Sequence, residues 1–598
     1  HGPVHEVVSP LQGRVVGVLV QTGADVHEGT TLVVIESMKM EHAVDAAVDG
    51  TVGEVLVGAG DGVRAGDPLL VLMPGAVSDE RRPETEAAAT ERADLAAVVE
   101  RHAVGLDPAR PDAVERRRKT GQRTARENIA DLCDSDSFVE FAPLAIAAQR
   151  RRRELDDLIA RTPADGLVGG IGRIDGRPVV VASYDYTVLA GTQGFQNHRK
   201  KDRLFELAER QRLPVVLFAE GGGGRPGDTD APGVSGLDTM AFHLFASLSG
   251  TVPLVGITSG RCFAGNAALL GCCDVVIATE GANIGMGGPA MIEGGGLGEY
   301  APEDIGPLDE QVANGVVDLR VDDEAAAVAA ARRYLNFLAG PGHPGTAPDP
   351  AVLRTVVPER RSQLYEVRDV IAGIADEDSV LELRDGFGVG MVTALTQVDG
   401  HPLGIVANDP RHLGGAIDAD GADKAARFLQ HCDGYGLPVL FLCDTPGFMV
   451  GPEAERTGLV RHVSRMFVTG ANLSVPFATV ILRKGYGLGA QGMAGGSFKA
   501  PLFCVAWPTG EFGGMNLEGA VRLGYRKELE AVTDEAERDA LFAEMVERAY
   551  EHGRAVNVAS HFEIDDVIDP ADTRRWITGV LLAVPAPPAG RRPNLDTW

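Results

Sequence analysis

Glu36-Ser37-Met38-Lys39-Met40-Glu41 sits between two alternating apolar runs, Thr31-Leu32-Val33-Val34-Ile35 before it and Leu69-Leu70-Val71-Leu72-Met73 after it. Alternation with a period of two marks a strand with one buried face, so Lys39 falls at a hairpin tip. The surrounding segment is written twice. Gly13, Val18, Leu19, Val20, Val26, Gly29 and Leu32 recur as Gly50, Val55, Leu56, Val57, Val63, Gly66 and Leu69, each 37 positions further on. Two matching four-strand halves predict a small flattened β-barrel over residues 1–75, with Lys39 where the halves join. The plainer alternative is a lysine between two methionines that pack in a core, as methionine side chains commonly do.

The motif resembles the biotin-attachment site of biotin-dependent carboxylases, and the half-repeat resembles biotinyl and lipoyl domains. A lipoyl carrier is the nearer rival, but methionine on both sides of the lysine resembles the biotin version. The resemblance implies that a biotin protein ligase acylates Lys39, which removes the ammonium charge and leaves a long neutral arm.

Length and charge bound the remainder. A chain of 598 residues is too long for one core, so several domains are expected. A hydrophobic content of 44% marks it as globular, and a net charge of −29 disfavours nucleic acid as a partner. No apolar run approaches the roughly 18 residues that span a bilayer, so no membrane segment is expected. The chain begins at His1 without a secretory leader and reads as a fragment or processed product. Seven cysteines without a Cys-x-x-Cys spacing predict buried free thiols, no metal site and a cytoplasmic setting.

Residues 76–94, rich in Glu, Arg and Ala, read as a tether. From Leu95 to Leu158 the pattern is helical and charged. Its basic clusters, Arg116-Arg117-Arg118-Lys119 and Arg150 to Arg153, suit either a phosphate site or a solvated helix face. A larger repeat follows. Asp175-Gly176-Arg177-Pro178 returns as Asp399-Gly400-His401-Pro402, and Leu213-Pro214-Val215 as Leu437-Pro438-Val439, both 224 positions on; Val252-Pro253 returns as Val475-Pro476, 223 on. An offset held this long predicts two domains of one fold, 95–340 and 341–598, joined at the Gly/Pro run from Ala339 to Gly345. In the first, Val179 to Ala182, Val215 to Ala219, Leu254 to Ile257 and Val275 to Ala278 read as strands buried on both faces. In the second, Gly404 to Ala407, Val439 to Cys443, Ala478 to Leu482 and Phe503 to Trp507 do so, which predicts parallel α/β layering.

Thr124-Ala125-Arg126-Glu127 followed by Asp136-Ser137-Phe138-Val139-Glu140 resembles the opening of acyl-CoA carboxyltransferase β subunits, and the likeness runs over roughly residues 110–580. It implies the crotonase-type ββα spiral used twice. The fold class expected is therefore multidomain: an all-β biotinyl (barrel-sandwich) domain, then two α/β crotonase-like carboxyltransferase domains.

Each copy has a glycine-rich turn after its third strand, Gly260-Arg261-Cys262-Phe263-Ala264-Gly265-Asn266-Ala267 and Lys484-Gly485-Tyr486-Gly487-Leu488-Gly489-Ala490. Small residues there let N–H groups at a helix start face a ligand oxygen, the requirement for an oxyanion hole. Tight turning or close helix packing is the alternative. By the family pattern the catalytic N–H pairs are Gly265 with Asn266, for the thioester oxygen of an acyl-CoA enolate, and Leu488 with Gly489, for the biotin ureido oxygen. The biotin nitrogen takes the α-proton, so no side-chain base is needed. Glu220-Gly221-Gly222-Gly223-Gly224-Arg225 lacks a P-loop ending and resembles the family's Ser-Gly-Gly-Ala-Arg loop, which implies substrate contacts at Gly223, Gly224 and Arg225. Its repeat partner is Asp444-Thr445-Pro446-Gly447-Phe448. His198 to Arg203 is a candidate for CoA phosphates, or else an exposed helix end.

Short-chain members of the family carry an aspartate where this chain has Gln491. The missing charge and the small residues from Gly492 to Gly496 imply a substrate-binding channel for a medium or long acyl chain. Nothing resembles an ATP-grasp biotin carboxylase, so ATP, Mg and bicarbonate would be used by a partner domain or subunit. The order carrier-then-transferase resembles the C-terminal part of single-chain long-chain acyl-CoA carboxylases, and a homo-hexamer is implied. The function expected is carboxyl transfer from carboxybiotin to an acyl-CoA α-carbon, a ligase component. The alternatives are a propionyl- or acetyl-CoA carboxylase, a biotin-dependent acyl-CoA decarboxylase with a membrane partner, and a non-catalytic carrier and scaffold subunit.

Overall fold

The computed structural model describes residues 4–77, 92–590 and 592–598; most of the expected tether lies outside the described residues. The chain divides into two compact units, His1–Val99 and Glu100–Trp598.

The first unit is built from β1 (His5–Val8), β2 (Gly13–Val18), β3 (Asp25–Val26), β4 (Thr31–Ser37), β5 (Met40–Asp45), β6 (Gly50–Val55), β7 (Gly62–Val63) and β8 (Pro68–Pro74). They form two four-stranded sheets, β1-β8-β6-β3 and β5-β4-β2-β7, so each sheet takes strands from both halves of the sequence repeat. Val15, Leu32, Ile35, Val52, Leu69 and Leu72 are fully or nearly fully buried in its core. The repeated pair Gly13 and Gly50 has a common cause: a Cβ on Gly13 would stand 2.5 Å from the Glu36 carbonyl oxygen, and one on Gly50 2.5 Å from that of Met73.

In the second unit the first sheet has seven strands in the order Leu319–Val321, Val275–Thr279, Leu254–Thr258, Val215–Phe218, Arg177–Tyr184, Leu167–Ile174, Val139–Glu140. The run from Leu319–Val321 to Arg177–Tyr184 is parallel, but the last two strands are antiparallel. The expected parallel layering holds for these strands, and an antiparallel lead-in precedes it, present again in the second repeat as Met391–Val398 against His401–Asn408. Both lead-ins turn on Asp-Gly, at Asp175-Gly176 (φ 50° and 78°) and Asp399-Gly400 (φ 53° and 74°), the left-handed pair a tight hairpin requires. One carboxylate ties each turn: Asp134 accepts from the N–H groups of Asp175 (2.9 Å) and Gly176 (2.8 Å), and Asp376 from those of Asp399 (2.9 Å) and Gly400 (2.8 Å).

The offsets read in the sequence hold in the strand registers. Val180 faces Val215 as Gly404 faces Val439, and Val215 faces Leu254 as Val439 faces Phe477. In the first repeat, short strands Gly221–Gly222, Arg261–Phe263 and Asn283–Gly285 follow the three central strands and form a small sheet of their own. The second repeat differs, because Phe477–Tyr486 runs unbroken and pairs with both Cys504–Ala506 and Glu511–Gly513. Lys484-Gly485-Tyr486 therefore belong to a strand and not to the turn.

One hydrophobic cluster runs through both repeats, joining Val181, Val216 and Ile257 of the first to Val406, Phe441 and Cys443 of the second. All seven cysteines are free, and all but half-buried Cys272 are buried. Among the described residues no helix is long and apolar enough to cross a membrane. The basic clusters are not solvated helix faces throughout. Arg117 is buried and grips Glu220 through two bonds of 2.7 and 2.8 Å, while Arg150 to Arg153 precede the helix Leu155–Arg161.

Candidate functional site

Lys39 occupies the second position of the two-residue β4–β5 hairpin, in which Ser37 pairs with Met40. Met38 (φ 50°) and Lys39 (φ 65°) are both left-handed, the geometry of a type I′ turn. Met38 is 91% and Met40 60% exposed, so neither packs in a core. An exposed lysine on a rigid tip suits covalent attachment of a carrier group such as biotin.

The first glycine turn ends the strand Arg261–Phe263 and opens the helix Gly265–Gly271, with Ala264 in an unusual conformation (φ 53°, ψ −127°) at its N-cap. N–H groups in a first helical turn lack intrahelical acceptors, so those of Gly265 and Asn266 remain available for a ligand oxygen. The Asn266 side chain anchors the turn: fully buried, its Nδ2 donates to the carbonyls of Gly191 (2.9 Å) and Glu220 (2.8 Å) and its Oδ1 accepts from Gln193 Nε2 (2.5 Å). Gly223 lies close by, its carbonyl accepting from the Gln193 N–H at 2.9 Å, and Gly224 forms a bridge with Gln193.

Arg225, expected to contact substrate, is turned inward. Its guanidinium pairs with the fully buried Asp165 and donates to Thr192 Oγ1 (3.0 Å) and the Thr192 carbonyl (3.1 Å), tying three segments together. The basic run from His198 to Arg203 fits neither of its readings as a whole. It lies in the helix Phe195–Gln211, whose periodicity sends Lys200 and Lys201 into the interior and leaves Arg199 and Arg203 exposed.

The second glycine turn follows Tyr486 and opens the helix Gly487–Gly492. Leu488 is exposed, whereas Gly489 is buried against another backbone: an added Cβ would meet Gly447 Cα and C at 2.7 Å. Tyr486 Oη donates to Glu511 Oε2 (2.9 Å), and Arg361 holds the other oxygen (2.9 Å). Gln491 opens onto a cavity of about 790 Å³ that Leu488, Phe498, Phe512, Val558 and Phe562 also line. That cavity, and not the following glycines, provides space. A Cβ on Gly492 would meet Phe448 at 3.1 Å and one on Gly495 would meet Phe477 at 2.7 Å, while Met493 and Ala494 are fully buried.

Each turn draws on its own repeat, and each has behind it the acid that opens the paired loop, whose buried ion pairs the sequence alone did not reveal. Glu220 and Asp444 stand 224 positions apart at equivalent strand ends. Asp444, fully buried, accepts from Tyr365 Oη (2.8 Å) and lies 3.2 and 3.3 Å from Arg483 and Lys484. An acid directly after an apolar run, at the repeat offset, was the available signal.

A barrel-sandwich with an exposed lysine at its hairpin tip and a duplicated ββα fold with a glycine turn in each copy is the architecture of a carrier joined to a carboxyl-transfer enzyme. The family model described as carboxyl transferase domain matches residues 116–583, and that described as biotin-requiring enzyme matches residues 5–72. The methylmalonyl-CoA carboxyltransferase 12S subunit of Propionibacterium freudenreichii subsp. shermanii is 35% identical over 484 residues, covering 78% of this chain and 90% of that one. A solved single-chain, multi-domain long-chain acyl-CoA carboxylase is 57% identical with a TM-score of 0.79, over 97% of this chain and 56% of that one. The transcarboxylase 12S hexamer with methylmalonyl-CoA bound is 32% identical with a TM-score of 0.75, over 86% and 100%. The chain therefore belongs to the carboxyl transferase family, and it joins a biotin carrier to the carboxyltransferase of biotin-dependent acyl-CoA carboxylases. It spans about half the length of the single-chain carboxylase.

Proposed function

We propose that this chain moves a carboxyl group between biotin on Lys39 and the α-carbon of a medium- or long-chain acyl-CoA. The N–H groups of Gly265 and Asn266 stabilise the thioester oxygen as the α-carbon becomes an enolate, and those of Leu488 and Gly489 stabilise the ureido oxygen. Biotin, when attached, supplies the nitrogen that carries the carboxyl group and takes up the α-proton. The observation that carries this reading is the same turn built twice, at equivalent repeat positions behind a held acid, on a chain that also bears the carrier lysine. Preorganised donors of this kind are worth about 10²–10³ each in rate.

A biotin carboxylase, using ATP, magnesium and bicarbonate, acts as a partner domain or subunit; the 56% coverage of the single-chain relative supports a division of this kind. A homo-hexamer is supported by the hexameric 12S neighbour, and a cytoplasmic setting by seven free thiols. Chain length is set beside Gln491, whose uncharged amide opens on the large cavity. An aspartate there would oppose burial of methylenes, each worth up to ~0.8 kcal/mol. The test is kcat/KM of the complete enzyme for acetyl-, propionyl-, octanoyl- and palmitoyl-CoA, with Gln491→Asp alongside. The longer chains should win in the wild type and lose in the variant; a wild type that prefers acetyl- or propionyl-CoA refutes the assignment.

A further inference from the structure

Behind the first glycine turn lies a closed set of hydrogen bonds. Lys201 is 0% exposed, and its Nζ donates to Tyr184 Oη (2.8 Å) and to Gln193 Oε1. Gln193 Nε2 donates in turn to Tyr184 Oη (2.8 Å) and to Asn266 Oδ1 (2.5 Å), and Asn266 Nδ2 reaches the carbonyls of Gly191 and Glu220. Neither amide can flip, because a flip would set donor against donor or acceptor against acceptor. Gln193 also touches the turn itself: a Cβ on Gly265 would meet its Nε2 at 3.3 Å. Burying an ammonium among neutral groups costs stability, and burial draws the Lys201 pKa down to about 7.

The second repeat serves as an internal control. At the offset of 224, Tyr184, Gln193 and Lys201 become Asn408, Ile417 and Ala425; at 223, Asn266 becomes Gly489. The backbone arrangement survives these changes, since the Ile417 N–H donates to the Gly447 carbonyl (3.0 Å) as that of Gln193 does to Gly223 (2.9 Å). Lys200, the neighbour of Lys201, is kept as Lys424, and both are buried. The fold therefore calls for a lysine at 200 and not at 201. Where the second turn is fixed by Gly489 lying directly on the Gly447 backbone, the first is fixed by side chains.

We propose that Lys201 and Gln193 are positioning residues for the first glycine turn, orienting the Asn266 N–H through a side-chain relay that the second turn lacks. This rests on the assignment of that turn to the thioester oxygen. The relay acts on transition-state geometry and not on the bulk of CoA binding, so its loss lowers kcat and leaves KM nearly alone.

The test uses the full chain and follows carboxyl transfer from a 2-carboxyacyl-CoA to added free biotin. In that reaction the Cα–carboxyl bond breaks, an N–carboxyl bond forms on the acceptor, and the acceptor's N–H proton passes to Cα. Acyl-CoA affinity is measured by calorimetry and Tm by scanning fluorimetry. Lys201→Met and Gln193→Glu should each lower kcat at least ~10-fold, with KM and Kd within about threefold. Gln193→Glu leaves Lys201 a partner but sets an acceptor against Asn266 Oδ1. Lys200→Met, which removes an Nζ that donates to the carbonyls of Ala164 and Leu167, should lower Tm and keep kcat per folded molecule. Unchanged kcat in both relay variants overturns the proposal, as does a rise in Kd that matches the fall in kcat. Should Lys201→Met not fold, Gln193→Glu decides alone, because Gln193 is only half-buried. Failure of the underlying assignment is distinguishable: Asn266→Pro would then leave kcat normal.

Discussion

Met38 and Lys39 share a backbone region that side chains ordinarily avoid, at a cost of about 1–2 kcal/mol each. Strain of that kind is kept where function needs it. Lys39→Arg should give a blank streptavidin blot while the carrier stays folded; a normal signal would remove the attachment site. Met38→Gly should stabilise the carrier by about 1 kcal/mol, read from its urea midpoint. Gly489 offers a second test at this scale. Its Cβ would enter the Gly447 backbone, so Gly489→Ala should cost about 1–3 kcal/mol and lower turnover. The place of Lys39 at a hairpin tip was legible because motif and half-repeat coincide on it. The left-handed turn was not, since neither Met nor Lys signals positive φ. Lys201 was invisible too: a charged residue in a basic run gives no sign of facing inward.

Among elements, the two lead-in hairpins were half legible. Asp175-Gly176 and Asp399-Gly400 announced the repeat but not the strand before either of them, Leu167–Ile174 or Met391–Val398. Leu167–Ile174 contains Gly169, Gly170 and Gly172, and these dilute its apolar pattern. They are there for packing: a Cβ on Gly169 would stand 2.6 Å from Leu204, and one on Gly172 2.5 Å from Cys133 Sγ. The Gly176 N–H foremost, with that of Asp175 and with Arg332, holds Asp134 below the usual carboxylate range. Burial pushes Asp376 up, but the N–H groups of Gly400 and Asp399 together with Arg574 outweigh it and leave it lowered. In the acid window the unfolded chain binds more protons than the folded one, so this stability is complete above about pH 4 and fades as pH falls through the folded values. Asp376→Asn should therefore lower Tm at pH 7 and flatten its decline toward pH 3; a parallel curve would refute the role. The helix Gly265–Gly271 supplies its own comparison. Asn266→Ala keeps the N–H and loses the side chain, whereas Asn266→Pro loses both, so the extra fall in turnover for proline, at least ~10²-fold, reports the N–H together with any backbone distortion that proline brings.

At the scale of the molecule, the two-domain repeat and the carrier were legible from offsets of 37 and 224, because duplication leaves identical punctuation at turns. That the repeats share one hydrophobic cluster was not, since apolar periodicity says which face is buried and not what covers it. A fragment spanning 341–598 alone should bind a hydrophobic dye and aggregate, and Glu100–Trp598 should melt in one calorimetric transition. Two separate transitions would contradict the shared core. The common core also bears on how such a chain can change over time. The turns differ between the copies, with Asn266 in one and Gly489 in the other, yet removing either copy would leave the apolar face of the shared cluster open to water. A change at one turn is therefore felt locally, whereas a change in the middle is felt by both copies.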